Sequence, residues 1–245
     1  VPEARPIIRR AIALFHPEPD VTVGWLEDNY HHFGVTLRHE GGVVRAVSSR
    51  AVRFPWTTCG GATEVLHAVT GQPLLQRAQD LSRRLGVHDH CTHLFELAAL
   101  AMSHAARSGP DLRYDASAYH DPKTPERHEV VLRQSGREVQ SMEILDRRIA
   151  APSAYAGHHL YEGFREWLAG LPAEEADRLW ILRRVFWLAE GYLQFKPGEV
   201  AADSGMGAVC YTFQPERRTI ALASGTTLDL SDPGIELLAH SREIP

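Results

Sequence analysis

Arg53-Phe54-Pro55-Trp56-Thr57-Thr58-Cys59-Gly60-Gly61-Ala62 closes an extended pattern at a proline and opens a helical one at a cysteine. A turn follows at Thr70-Gly71-Gln72-Pro73-Leu74, and His90-Cys91-Thr92-His93-Leu94-Phe95-Glu96-Leu97 starts a further helix. Upstream the chain reads as strand over residues 10–15, 21–26 and 33–38. The turn Glu40-Gly41-Gly42 then leads into residues 43–47, and two glycines between β-branched runs are a hairpin signal. Residues 51–54 add another extended piece, stopped by Pro55. Downstream the period is helical over residues 62–70, 74–85 and 91–107. In the last of these Leu94, Leu97, Ala98, Ala101, Met102 and Ala105 share one face. Strands followed by helices predict an α+β fold, an antiparallel sheet packed against helices.

Ser108-Gly109-Pro110 breaks the third helix and marks the expected domain boundary, with one domain over 1–107 and an extension over 108–245. The extension is also read as α+β. Two of its hairpins are predicted around Ser135-Gly136 and around residues 215–218. Its two helices are expected over residues 161–169 and 173–194. In the longer helix Leu179, Leu182, Phe186, Ala189 and Leu193 form an apolar stripe with Trp180 and Trp187 beside it, a core-packing pattern. The two parts are expected to pack as one unit, the extension walling a pocket. The hairpin at residues 128–136 echoes that at 32–38, a resemblance two unrelated hairpins can share.

The chain has 245 residues, 44% of them hydrophobic and 23% charged, an ordinary globular composition. A formal net charge of -5 argues against a general nucleic-acid binder. No run of 18 apolar residues suggests a membrane span. Three cysteines make no disulfide framework, and no basic-then-apolar leader pattern opens the sequence, so a cytoplasmic, reducing compartment is expected. There the thiols are free for metal or catalysis.

Cys59 and Cys91 both sit at helix starts, where free N–H groups and the helix dipole favour the thiolate. The alternative is a pair of small buried hydrophobes. His31-His32 lies before a strand, so only one of the two rings should face the cysteines. Asp28 is either a ligand, the partner of a ligand histidine, or a turn residue. His90 and His93 flank the Cys91 helix start, and Glu96 follows His93 by one turn. The expected metal ligands are His31, His32, Cys59, Cys91 and His90. The expected catalytic residues are Glu96, His93 and Asp28. Two thiolates and an imidazole match zinc with an open fourth position, and iron is compatible with mixed donors. Cys210 reads as core in a strand, Gly205-Met206-Gly207 as a lone turn, and Tyr119-His120-Asp121 and His158-His159 as further polar candidates.

The order hairpin, Cys59, helix, Gly71-Gln72-Pro73-Leu74, helix, His90-Cys91, long helix is similar to that of NifU-like iron–sulfur scaffolds, and the fold expected for 1–107 is accordingly NifU/SufE-like. Cys59, His90 and Cys91 take matching positions. Where that family has its first cysteine and aspartate, this chain has Asp28-Asn29-Tyr30-His31-His32, so one thiolate is lost. Cys91-Thr92-His93-Leu94-Phe95-Glu96-Leu97, with Cys59 and His31-His32, more closely resembles a bacterial family known as domain of unknown function 2889, over roughly residues 5–107. That family implies no established reaction.

These features lead to an expected metal-dependent enzyme with one metal ion, zinc ahead of iron. Its substrate would be a small hydrophobic or aromatic carbonyl compound, transformed by lyase, hydratase or hydrolase chemistry. The alternatives are an iron–sulfur scaffold or carrier and a non-catalytic protein with structural zinc. The partners expected are a small-molecule substrate and, optionally, a second copy of the chain in a homodimer; neither nucleic acid nor membrane is expected.

Overall fold

A computed structural model describes residues 6–121, 124–191, 195–239, 241 and 243–245. The strands are β1 (Ile8–Glu18), β2 (Val21–Asp28), β3 (His32–Glu40), β4 (Val43–Arg53), β5 (Leu112–Asp121), β6 (Thr124–Gln134), β7 (Arg137–Leu145) and β8 (Arg148–Ala151). They follow one another in the order β4-β3-β2-β1-β5-β6-β7-β8, and the fold is α+β as the sequence predicts. The helices are α1 (Ala62–Val65), α2 (Thr92–Arg107), α3 (Phe164–Ala169), α4 (Ala173–Glu190) and α5 (Pro215–Arg218). Among the described residues no helix is long and apolar enough to cross a membrane.

The chain divides into two compact units. The α2 unit comprises Ile12–Leu112, Leu193–Leu228 and Leu238–Pro245, and the meander unit comprises Val1–Ala11, Arg113–Tyr192 and Asp229–Leu237. In the α2 unit, β2, β3 and β4 pair antiparallel. Helix α2 lies across β2 and β3. It is apolar round most of its circumference, with every residue from Leu94 to Ala105 buried. Gly24 permits its close approach: a Cβ there would stand 3.1 Å from Leu97 Cδ1 and from Val35 Cγ1. On the neighbouring register pair, a Cβ on Gly34 would meet Pro245 at 2.6 Å, so the last residues cover the sheet beside Trp25. Cover on both faces explains why β2 is nearly continuously buried instead of alternating.

Residues 195–228 return to the segment that decides the fold. Trp56, Cys59, Ala201, Phe213, Ala221 and Ala223 form one apolar cluster. The backbone supports it: Thr57 N–H donates to Leu222 O at 2.9 Å, Ser224 N–H to Pro55 O at 2.8 Å, and Tyr211 N–H to His90 O at 2.9 Å.

Several local expectations change. The predicted helix over 74–85 is only a 3-10 turn at Ala78–Arg83. Its start is drawn off along β4, where Leu74 N–H donates to Gly42 O at 2.7 Å and Pro73 bridges Val43. Residues 62–70 form α1 followed by a 3-10 turn, Leu66–Val69, and Gly71 ends them with φ +84°. The predicted hairpin around 215–218 is absent. Pro215 instead stands in the first turn of α5, where its fixed φ suits a helix start, and Leu222 and Ala223 bridge Val200 and Trp56.

The meander unit holds β5 to β8, paired antiparallel in sequence order. The hairpin at Ser135-Gly136 is as predicted, with φ +49° and +81° at the turn. Helix α4 packs on β6 and β7 and buries Leu179, Leu182, Phe186 and Ala189, as the stripe predicts; Leu193 lies outside the described residues. Buried Arg183 lies 3.8 Å over the Trp187 ring and donates to Leu160 O.

Candidate metal centre

The turn from β2 to β3 is built around one carboxylate. Asp28 N–H donates to His31 O at 2.8 Å, closing the turn. Asp28 Oδ1 accepts from Tyr30 N–H at 2.9 Å and His31 N–H at 2.8 Å, and lies 3.0 Å from His31 Nδ1. An aspartate bonding the backbone two and three residues on is the local reason the chain turns here. Arg53 fastens the turn from β4, donating to Asp28 O at 2.7 Å and Asn29 O at 3.0 Å while pairing with Glu27 at 3.2 Å. The returning segment adds a clamp, with Leu228 N–H on Asn29 O at 2.8 Å and Asn29 Nδ2 on Leu228 O at 3.1 Å.

His93 reaches this turn from the first turn of α2. Its ring stacks on that of His31 with centroids 3.8 Å apart and planes 21° from parallel. Its Nδ1 is 3.9 Å from Asp28 Oδ2. Asp28, His31 and His93 thus bring three potential ligand atoms within 4.8 Å of one another, buried, and among the described residues this is the group of that kind. Asp28 itself is 0% exposed. One carboxylate and two imidazoles are metal-ligand types, and this group could hold a metal ion. Tyr30 and Phe33 lie against His31 and give the site an apolar border. Glu96, one turn beyond His93 on α2, is 2% exposed.

The other sequence-derived candidates lie around this group and outside it. His32 lies 2.7 Å from Ser241 Oγ, near Glu27 and against Trp25, whereas its neighbour His31 stacks on His93. Burial lowers its pKa, with Glu27 acting the other way. His90 is buried against Phe95, and burial lowers its pKa too. Cys91 is the N-cap residue of α2 and Cys59 opens the 3-10 turn before α1. None of the three cysteines is in a disulfide.

Both thiols depart from the expected low pKa. Burial pushes Cys59 up to about 12, opposed by a hydrogen bond with Thr212 Oγ1 at 3.2 Å. Burial also pushes Cys91 well up, and the nearby sulfurs of Cys59 and Cys210 add to the rise. The cause is a matter of magnitude: a helix terminus contributes roughly 0.3–1 kcal/mol, whereas full burial shifts a pKa by up to about 3–5 units. Cys210 is only partly buried and lies in extended backbone before a 3-10 turn, packed at the edge of the Trp56 cluster. The gathering of three sulfurs was not legible from sequence, because it depends on the return of residues 195–228.

The site and its setting define an α+β protein with a buried carboxylate–bis-imidazole group between a hairpin turn and a helix. Residues 23–107 match the family model described as "Protein of unknown function (DUF2889)". The matched stretch runs from β2 to the end of α2 and carries Asp28, His31 and His93, so the resemblance read in the Cys91–Leu97 motif is borne out there. No curated protein matches the chain.

Proposed function

We propose that Asp28, His31 and His93 hold one divalent metal ion, zinc ahead of iron, in an enzyme acting on a small hydrophobic or aromatic carbonyl compound by lyase, hydratase or hydrolase chemistry. The observation that carries this reading is the buried meeting of three ligand-type side chains from two separate elements. When bound, such an ion lowers the pKa of a coordinated water or polarises a carbonyl. The chain's own residues have distinct tasks. Asp28 Oδ1 fixes the orientation and tautomer of His31 through Nδ1. The first turn of α2 presents His93 from a rigid element. Glu96, buried on the same helix face, is the group we assign to carrying the proton. Tyr30 and Phe33 favour an apolar substrate over a charged one.

A second reading, an iron–sulfur scaffold or carrier of NifU type, is favoured by one observation: Cys59, Cys91 and Cys210 lie within electrostatic reach of one another. Metal analysis of the freshly purified full chain separates the readings. The first predicts about one equivalent of zinc or iron without acid-labile sulfide, lost in both His31→Ala and His93→Ala with the far-ultraviolet circular dichroism retained. Acid-labile sulfide with broad visible absorption supports the scaffold. Unfolding on chelation indicates a structural ion. Protein that carries no metal and takes up none on zinc titration refutes the metal centre.

A further inference from the structure

Where the returning segment meets the start of α2, two cysteines are placed for a reaction that the metal reading does not use. Tyr211 N–H donates to His90 O at 2.9 Å. That single bond joins the residue after Cys210 to the residue before Cys91. Covalent geometry on either side of it holds the two cysteine Cα atoms within about 7 Å of each other. Gln214 fastens the same two stretches, its Nε2 donating to His88 O at 2.8 Å and to Cys210 O at 3.3 Å. Both cysteines have extended backbone, with φ -159° and ψ 179° at Cys210 and φ -66° and ψ 116° at Cys91. Their sulfurs lie within electrostatic reach of one another. Disulfides usually span Cα separations of about 4.4–6.8 Å, so the backbone already stands at bridging range.

The two sulfurs differ in access. Cys210 is half-buried and follows Gly207, Ala208 and Val209, all exposed, whereas Cys91 is 5% exposed. A small oxidant in solvent therefore meets Cys210 first. Cys59 is the less suitable partner, because it is buried and its sulfur is held by Thr212 Oγ1 at 3.2 Å.

We propose that Cys210 and Cys91 form a peroxide-responsive thiol pair, in which Cys210 is oxidised first and Cys91 closes a reversible disulfide. The Cys210 sulfur attacks one oxygen of a hydroperoxide. The O–O bond breaks, the leaving oxygen takes the thiol proton and departs as water or an alcohol, and a sulfenic acid remains. The Cys91 sulfur then attacks that of Cys210. The S–O bond breaks, the departing hydroxyl takes the Cys91 proton and leaves as water, and the S–S bond forms. The hydroperoxide gains two electrons and the two thiols lose one each. In reducing compartments such bonds are transient and redox-sensing, and a dithiol reductant reverses this one by exchange. When closed, the bond staples the 3-10 turn Tyr211–Phe213 to the N-terminus of α2. The inference stands apart from the metal reading, since neither sulfur belongs to the group Asp28, His31 and His93.

The test treats the full chain with hydrogen peroxide under native conditions, then alkylates it in denaturant and maps the cysteines by peptide mass spectrometry. The wild type is expected to lose two hydrogens and to yield a linked Cys91–Cys210 peptide pair. Cys59 should still be alkylated, and dithiothreitol should restore all three thiols. Dimedone, which captures sulfenic acids, reports the order of events. Cys91→Ser is expected to lose the disulfide and to collect dimedone on Cys210; serine is a favoured N-cap residue, so α2 keeps its start. Cys210→Ser is expected to lose both products, and Cys59→Ser to form the disulfide as the wild type does. A bond that forms only in denaturant, a linkage through Cys59 or between two chains, or dimedone on Cys91 ahead of Cys210 would each overturn the proposal.

Discussion

Replacing Asp28 by alanine should be among the most damaging single changes in the α2 unit, and replacement by asparagine much milder. The carboxylate is fully buried, and its Oδ1 accepts from two backbone N–H groups at 2.9 and 2.8 Å and meets His31 Nδ1 at 3.0 Å. Hydrogen bonds to a charged group contribute about 1.5–3 kcal/mol each, and donors stranded in the interior add a desolvation cost. Part of the loss is recovered as the turn relaxes and admits water, so Asp28→Ala should cost about 4 kcal/mol, in line with a broken buried network. Asparagine keeps an acceptor oxygen for the backbone and loses mainly the charge, a cost of about 1–2 kcal/mol. The measurement is urea denaturation in excess chelator, so that metal affinity does not enter the difference. In a thermal scan the alanine variant should melt about 10 °C lower, at roughly 2–4 °C per kcal/mol for a chain of this size. An alanine variant within about 1 kcal/mol of the wild type, at unchanged denaturant slope, would refute the view that this carboxylate organises the turn.

Three further outcomes are expected. His104, 3% exposed and stacked on His16 at 4.6 Å, has its pKa lowered to about 4 by burial, with His16 and Arg107 adding to the effect. The unfolded chain takes up that proton near pH 6.5. Stability should therefore fall as pH drops from about 6.5 toward 4, and His104→Gln should flatten that window in a pH series of denaturation midpoints. Native Cys59 and Cys91 should react far more slowly than Cys210 with a thiol reagent at pH 8, as read by peptide mass spectrometry. For Cys59 a pKa near 12 instead of 9.0 alone lowers the thiolate fraction about a thousandfold; equal labelling of all three would contradict the buried placement. Gly24→Val should cost about 2–3 kcal/mol by overpacking, because even a Cβ there meets Leu97 and Val35 at 3.1 Å; an unchanged midpoint would mean that α2 does not press on β2.

What the sequence disclosed was what is local. The turn residues Gly41-Gly42 and Ser135-Gly136 place two hairpins, and the apolar spacing from Leu94 to Ala105 places α2. Pairings between distant residues were not legible. Strand β5 escaped because Leu112–Asp121 is interrupted by charged and aromatic residues, and its pairing with β6 is what gives it order. The helical period over 74–85 was real, but bonds from Gly71 to Val44 in β4 and from Leu74 to Gly42 just before it outweigh propensity there. At the site, Asp28, His31 and His93 were all singled out by residue type, although with different roles. That they meet follows from α2 crossing β2 and β3, a tertiary fact. The thiols were read from position alone, and position is overruled by how deeply the returning segment buries them.

The interleaving of the two units along the chain bears on how the protein is made. The cluster on Trp56 and Cys59 needs Ala201, Phe213, Ala221 and Ala223, and the turn at Asn29 needs Leu228. During synthesis from the N-terminal side, the meander strands and helix α4 leave the ribosome before those residues do. The half of the molecule that is translated first, and that holds the histidines and the aspartate, is thus left waiting for its final pieces, with greasy surface uncovered meanwhile. Stop codons or protease cuts after α4 should be felt at the Asp28–His31–His93 group rather than in the strands beside the break.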